Sequence, residues 1–234
     1  MQTHIVLVHG AFADSSSWND VADRLIDDGH HVIAYANPLR SVAGDAAGLN
    51  ELVRTLNGPV VLVGHSYGGA VITNVPADAG EIIGLVYVAA FALDSGESCG
   101  GVSSTVPGSS LGEALQVVPL PDGADAYIAQ EKFHQQFCAD LPADTARRMA
   151  VAQRPITGAA LDEASGPDPL WNHVPSWWIF GDQDRNIPVQ AMRNMADRAR
   201  SKRTVEVEGA SHVVGMSHPA KTAALILEAT APGP

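Results

Sequence analysis

The sequence has few of the features that stabilise small secreted proteins. Only two of its 234 residues are cysteines, Cys99 and Cys138, so it has no disulfide framework. Whether these two residues form a single bridge is left open by the sequence. Because so sparse a use of cysteine is typical of a reducing compartment, we expect a cytoplasmic protein.

Long hydrophobic runs are also missing. The most apolar segments, such as PVVLVG at residues 59–64, are far shorter than the roughly 20 residues that a membrane-spanning helix needs. No basic segment follows Met1 before the first apolar run begins near His4, so the sequence shows no secretory signal. We therefore expect a protein with no membrane partner.

Basic residues are scarce relative to acidic ones. The chain contains 14 Lys and Arg against 26 Asp and Glu, for a formal net charge of −12 at pH 7. A surface this acidic repels the phosphates of nucleic acid and of anionic membranes. The composition is otherwise that of a globular protein. We expect a small molecule as the partner, and we leave a homodimer open as an alternative to a monomer.

Short apolar runs rich in β-branched residues alternate with longer amphipathic segments. Strands are predicted over residues 4–8, 31–35, 59–64, 83–89, 176–181 and 203–207. Helices are predicted over residues 17–28, 42–56, 67–75, 188–200 and 217–230. Ser217 is the predicted N-cap of the last helix, with Pro219 in its first turn. Because runs without polar alternation suit strands buried on both faces of a parallel sheet, the pattern predicts a doubly wound α/β fold.

The segment over residues 95–172 interrupts this alternation. It opens with a glycine- and serine-rich stretch and continues with two helix-like pieces, ADAYIAQEKFHQQFC and PADTARRMAVAQR, without a convincing strand. Pro142 stands at the expected start of the second piece. We interpret residues 95–172 as a helical cap inserted into one core domain, which consists of residues 1–94 and 173–234.

A serine lies where the third predicted strand gives way to a helix. Ser66 is the centre of the pattern Gly-x-Ser-x-Gly, which reads GHSYG over residues 64–68. A serine in a sharp strand-to-helix turn holds its hydroxyl clear of the sheet, and flanking glycines remove the Cβ atoms that would collide there. The plain alternative is a helix N-cap serine. The apolar strand that leads into the turn favours a nucleophile.

A serine hydroxyl needs a base that takes its proton. Of the nine histidines, His212 fits best, because it lies in a loop, GASHVVG, between the last predicted strand and the last helix. The segment GDQDRNIP offers two carboxylates, Asp182 and Asp184, and either could orient His212. None of the histidine spacings is a metal-ligand motif, and this chemistry requires neither a metal nor a cofactor.

Acyl transfer also requires hydrogen-bond donors for the oxygen that becomes negatively charged. The backbone N–H of Tyr67, directly after the serine, is one candidate. The loop after the first strand supplies the second from Ala11 or, less favourably, from Phe12, and Gly10 lets the backbone approach closely.

Four motifs in this order resemble those of the α/β-hydrolase superfamily: VLVHGAF, VGHSYGGAVI, GDQDRNIP and GASHVVGMSHP. More narrowly, they resemble the group that contains plant methylesterases and hydroxynitrile lyases, together with bacterial esterases. The resemblance covers nearly the whole chain. It implies a six-stranded parallel sheet, because the two leading strands of larger members would be absent here.

The resemblance also implies roles for individual residues. Asp184, at the last position of Gly-x-x-Asp, would be the acid of a catalytic triad with Ser66 and His212. Ala11 and Tyr67 would form the oxyanion hole, and the inserted cap would cover the site.

Two positions depart from the lyases of this group. Those enzymes have a threonine where this chain has Gly10 and a lysine where it has Val213. Without the positive charge that accepts developing cyanide, cyanohydrin cleavage is disfavoured. The resemblance therefore implies a carboxylic ester hydrolase that acts on small to medium, mostly apolar substrates through an acyl-enzyme. A lactonase, a lyase-type reaction in the same site and a ligand receptor with slow turnover are the alternatives.

Several aromatic residues are candidates for lining the substrate pocket. They are Phe12, Trp18, Phe91 and Phe133. Each of them also fits a place in the hydrophobic core.

Overall fold

A computed structural model describes residues 2–231. The strands, in chain order, are β1 (His4–Val8), β2 (His31–Tyr35), β3 (Val60–His65), β4 (Ile82–Val88), β5 (Leu115–Leu120), β6 (Gly123–Ile128), β7 (Ile156–Thr157), β8 (Ser176–Gly181) and β9 (Arg203–Val207). The helices are α1 (Asn19–Asp27), α2 (Val42–Arg54), α3 (Tyr67–Thr73), α4 (Cys99–Ser103), α5 (Leu111–Ala114), α6 (Gln130–Phe137), α7 (Ala143–Ala152), α8 (Gly158–Asp162), α9 (Val189–Arg198), α10 (Val214–Ser217) and α11 (Pro219–Thr230). Short 3-10 helices cover Ser15–Trp18 and Leu170–Asn172.

The central sheet has six parallel strands in the order β2-β1-β3-β4-β8-β9. This confirms the predicted fold, and each of the six predicted strands agrees with the structure to within one residue. All six residues of β3 are buried, because helices flank the sheet: α11 packs on α1, β4 and β8, and α3 packs on α2 and β3. The uninterrupted apolar run of β3 is the sequence signature of that burial.

The segment between β4 and β8 corrects one prediction. It contains α4 to α8, but it also contains a three-stranded antiparallel sheet in the order β5-β6-β7. The expectation that this segment has no strand was wrong. Residues 124–128, assigned above to a helical piece, belong to β6 (Gly123–Ile128). The missed signal is Pro121-Asp122-Gly123, a turn sequence that joins β5 to β6 and has Gly123 at φ +114°.

Strand β5 is an edge of this small sheet and has little cover. Its side chains from Gln116 to Leu120 are exposed, and Val117 is 60% exposed. The alternation that marks a half-buried strand is therefore absent from its sequence.

The start of the last helix also differs from the prediction. Ser217 is the final residue of α10 and does not cap α11, which begins at Pro219 after His218. Pro219 does occupy the first turn, where its missing N–H has no intrahelical acceptor to lose. Pro142 directly precedes α7, as predicted.

Both cysteines are free, buried thiols. Burial raises the pKa of the Cys99 and Cys138 thiols. Within residues 2–231, no helix combines the length and the apolar character needed to traverse a bilayer.

The two ends of the inserted segment are fastened together at helix α9. Arg198 donates to both carboxylate oxygens of Glu97, each at 2.7 Å, and to the carbonyl oxygen of Ala92 at 2.9 Å. Its guanidinium also lies 5.6 Å from the ring centroid of Trp171, whose Nε1 donates to the carbonyl oxygen of Leu93. The Arg198 guanidinium lowers the pKa of Glu97. One arginine thus holds the chain where it leaves and where it rejoins the core.

We expect Arg198→Ala to lower the free energy of unfolding by about 1–2 kcal/mol, since it removes charged hydrogen bonds that are only partly screened by water. Urea unfolding measures this. The matched control is Arg193→Ala on the same helix, where the pair with Glu206 is more exposed and should contribute less to the free energy of unfolding than the contacts of Arg198 do. Equal losses in the two variants would show that the fastening adds nothing beyond a surface ion pair.

Candidate active site

Ser66 lies in a strained turn between β3 and α3. Its backbone has φ +54° and ψ −123°, a conformation that costs energy for any residue with a side chain. Neighbouring backbone holds it there: the N–H of Ser66 donates to the carbonyl oxygen of Ala89 at 3.1 Å, and its carbonyl oxygen accepts from Gly69 and Phe91. The turn is therefore fixed by the ends of two adjacent strands.

The glycines around this turn are required by close contacts. A Cβ atom on Gly64 would lie 2.6 Å from the carbonyl oxygen of Gly68, and one on Gly68 would collide with the carbonyl oxygen of Val8. A Cβ atom on Gly10 would lie 2.6 Å from the Cβ of Ser66. Gly64 is thus required by the first turn of α3, and Gly68 by the chain at the end of β1.

His212 and Asp184 form a buried hydrogen-bonded pair. Their Nδ1 and Oδ2 atoms are 2.6 Å apart, and His212 is 1% exposed. The other oxygen of Asp184, Oδ1, accepts the backbone N–H groups of Asn186 and Ile187 at 2.7 and 3.0 Å. Since Asp184 occupies Nδ1, the remaining ring nitrogen of His212, Nε2, is the one available to exchange a proton with a reacting group.

The structure separates the two aspartates that the sequence left open. Asp182 accepts the backbone N–H of Gly209 at 2.7 Å, three residues before His212. Asp182 thus supports the loop that carries the histidine, while Asp184 contacts the ring itself.

A second histidine supports His212 from behind. The ring of His65 lies 4.8 Å from that of His212, and its Nε2 donates to the carbonyl oxygen of His212 at 3.1 Å. Burial is the main cause that holds the pKa of His65 well below its usual value, and the nearby His212 lowers it further. Near neutral pH the His65 ring is therefore uncharged. Its lowered pKa makes it a weak proton acceptor, which argues against His65 as the base.

His9 is likewise a structural residue. Its Nδ1 donates to the carbonyl oxygen of Gly10 at 2.9 Å, and its Nε2 accepts the backbone N–H of Asn37 at 3.1 Å. Burial lowers the pKa of His9. This neutral ring fixes the loop that follows β1.

Two residues at the site have backbone N–H groups without an acceptor. Among residues 2–231, no hydrogen bond is formed by the N–H of Ala11 or of Tyr67, and both residues line the same cavity as Ser66. Phe12, the weaker candidate from the sequence, is excluded as a donor because its N–H is bonded to the carbonyl oxygen of Arg154 at 3.0 Å. The hydroxyl of Tyr67 donates to buried Asp45 at 2.9 Å, which anchors the residue after the serine.

Ser66 and His212 open onto one cavity of about 420 Å³. Apolar side chains form much of its wall: Phe12, Phe91, Leu111, Leu115, Leu161 and Ile187. Polar lining comes from Ser103, Ser104, Ser109 and Asn186, none of which the sequence analysis identified. No Asp, Glu, Lys or Arg of the described chain lines the cavity.

Two of the four predicted pocket aromatics lie elsewhere. Phe12 and Phe91 line the cavity, whereas Trp18 and Phe133 do not. Trp18 is buried behind the site, with its ring 6.3 Å from that of His65. Phe133 is fully buried and packs against Phe137. The ring of Phe137 in turn lies 5.2 Å from the His212 ring, so Phe137 separates Phe133 from the site. Both residues support the histidine loop as part of the core.

Residues 5–225 match the sequence pattern of the Alpha/beta hydrolase family. With a parallel sheet of this order, a serine in the strand-to-helix turn and a buried His–Asp pair, the chain belongs to that family. The suspected resemblance to plant methylesterases and their relatives is also confirmed.

Two plant proteins are among the relatives. Salicylic acid-binding protein 2 of Nicotiana tabacum is 26% identical over 253 residues, which cover 96% of each chain. A protein of Arabidopsis thaliana named as a chloroplastic methylesterase is 26% identical over 246 residues. That match covers 96% of this chain and 63% of the relative, so the chain spans less than two thirds of its length. Polyneuridine aldehyde esterase has the same fold, with a TM-score of 0.82 at 19% identity over 99% of this chain and all of that one.

The buried neutral His65 makes stability depend on pH. The unfolded chain binds a proton at this position below about pH 6.5 and the folded chain does not, so the free energy of unfolding falls as the pH is lowered. His65→Gln removes this titration. In urea unfolding between about pH 7 and pH 5, the wild type should lose up to about 1.4 kcal/mol more per pH unit than the variant. Parallel curves for the two proteins would show that His65 is protonated in the folded state.

Proposed function

We propose that this protein hydrolyses carboxylic esters through an acyl-enzyme formed on Ser66. The observation that carries this proposal is the convergence of Ser66 and the buried His212–Asp184 pair on one cavity. A relative named as a methylesterase supports the same class of reaction.

In the first half of the reaction, Ser66 Oγ attacks the ester carbonyl while His212 Nε2 takes its proton. Asp184 holds the ring in the tautomer that leaves Nε2 as the acceptor and stabilises the imidazolium that forms. The tetrahedral intermediate places its negative oxygen at the N–H groups of Ala11 and Tyr67. His212 then protonates the departing alcohol, and the acyl group remains on Ser66.

In the second half, water enters in place of the alcohol. His212 takes a proton from this water as it attacks the acyl carbonyl, and the same two N–H groups stabilise the second tetrahedral intermediate. Its collapse returns the proton to Ser66 Oγ and releases the carboxylic acid.

The size and lining of the cavity support one class of substrate. Its volume of about 420 Å³ suits a small to medium molecule. Because its lining is mostly apolar and includes no Asp, Glu, Lys or Arg of the described chain, a charged substrate would lose its hydration without gaining an ionic partner. We therefore propose uncharged, mostly apolar esters as substrates.

The first test is hydrolysis of p-nitrophenyl esters, from acetate to octanoate, by the wild type and by Ser66→Ala. The wild type should be active, and the folded variant should lose at least about 1,000-fold in kcat. The acyl chain length of the ester with the highest kcat/KM then indicates how long an acyl group the cavity accommodates. Equal activity in both proteins would refute the role of Ser66, and inactivity of both would favour a ligand receptor over an enzyme.

Gly10 offers an independent test, because any Cβ at this position displaces Ser66. Gly10→Ala should lower kcat by about 100-fold, the effect of a displacement of about 1 Å in a reacting group. The matched control is Gly158→Ala, where a Cβ atom meets nothing within 4 Å. Labelling with a fluorophosphonate reports how much Ser66 remains reactive. Full activity in Gly10→Ala would contradict the close contact between the two residues.

A further inference from the structure

Asn186 is a buried polar residue of the cavity that the reaction above does not use. It is 3% exposed and lines the cavity next to Ile187. Its backbone N–H is bonded to Asp184 Oδ1 at 2.7 Å. The backbone of Asn186 is therefore tied to the carboxylate that contacts His212.

The inserted segment fixes which way the Asn186 amide points. Gln136 Nε2 donates to the carbonyl oxygen of Arg185 and to Oδ1 of Asn186, both at 2.8 Å, while Ser110 Oγ donates to Gln136 Oε1 at 2.8 Å. A backbone carbonyl can only accept, so the NH₂ end of Gln136 must face Arg185 and Asn186. Asn186 therefore presents its oxygen to Gln136 and turns its own NH₂ group away.

That NH₂ group has no partner. Among residues 2–231, Nδ2 of Asn186 is buried and forms no hydrogen bond. Buried polar groups in folded proteins are nearly always paired, and those that are not call for an explanation. No carboxylate lines the cavity to accept from it. An acceptor oxygen on a molecule bound in this cavity, which Asn186 lines, would satisfy the donor.

We propose that Asn186 is a specificity determinant whose Nδ2 donates to an uncharged acceptor oxygen of the substrate. The preferred esters then carry an ether, ketone or hydroxyl oxygen in addition to the ester group. An ester with only hydrocarbon at that place would leave the amide unpaired, which is how a site built to hydrogen-bond a substrate rejects its apolar analogue. This inference rests on the proposed function, according to which the substrate is an ester. It adds that the substrate carries a further acceptor oxygen outside the ester group.

The test compares esters in which one oxygen replaces one methylene. Benzyl methoxyacetate and benzyl butyrate differ in this way on the acyl side, and 2-methoxyethyl phenylacetate and butyl phenylacetate differ on the alcohol side. Calorimetry measures their binding to Ser66→Ala and to the double variant Ser66→Ala/Asn186→Leu. Because both proteins carry Ser66→Ala, the assay measures binding alone. Its result does not depend on whether the wild type hydrolyses esters.

We expect Asn186→Leu to weaken binding of the oxygen-bearing ester of at least one pair by about tenfold relative to its hydrocarbon partner. Asn194→Leu, which alters an exposed asparagine on α9, is the matched control and should change neither. Asn186→Ala replaces the leucine variant if circular dichroism shows that the latter is unfolded.

Three outcomes would overturn the proposal. Equal weakening of both members of each pair would assign Asn186 a structural role or a contact with the ester group itself. Unchanged binding of all four esters would show that the amide faces no ligand. Absence of saturable binding for all four esters in the Ser66→Ala protein would show that the cavity does not accept this substrate class.

Discussion

The strained turn at Ser66 is the constraint on which the rest of the site depends. A residue with a side chain at φ +54° is tolerated only where surrounding backbone leaves it no alternative. Here that backbone comes from the carboxyl ends of β1 and β4, the two neighbours of β3. The strand order β1-β3-β4 is thus a requirement of the site, since it brings the loop of Ala11 and the carbonyl of Ala89 to the two sides of one serine.

The three buried histidines near the serine differ in their hydrogen-bond partners. His9 and His65 are bonded to backbone groups and are kept neutral by desolvation. His212 has a carboxylate on Nδ1 instead, and in the reaction that we propose this partner would stabilise the charged ring that proton transfer produces. The difference arises from Asp184, whose carboxylate is oriented by two N–H groups of its own loop.

Sequence reasoning identified the parts whose signals are local. The strands of the central sheet and the elbow at Ser66 follow from apolar runs and glycine spacing, both of which report nearby contacts. The hairpin of β5 and β6 was not predicted. The side chains of β5 are nearly all exposed, so its sequence lacks the alternation of apolar and polar residues that indicates a half-buried strand. Sequence reasoning assigned Trp18 and Phe133 to the pocket because an aromatic residue does not reveal on which side of the histidine loop it lies. Asn186 was missed because its amide is oriented by Gln136, 50 residues away in sequence.

The uncovered edge of β5 bears on how the protein behaves in solution. Val117, Val118 and Leu120 stand in an edge strand, the kind of element through which copies of a chain associate. At neutral pH the net charge of −12 keeps copies apart. The pI of about 5.0 lies where that repulsion vanishes. We therefore expect the acidic surface to keep copies of this protein apart at neutral pH, and we expect its solubility to be lowest near pH 5.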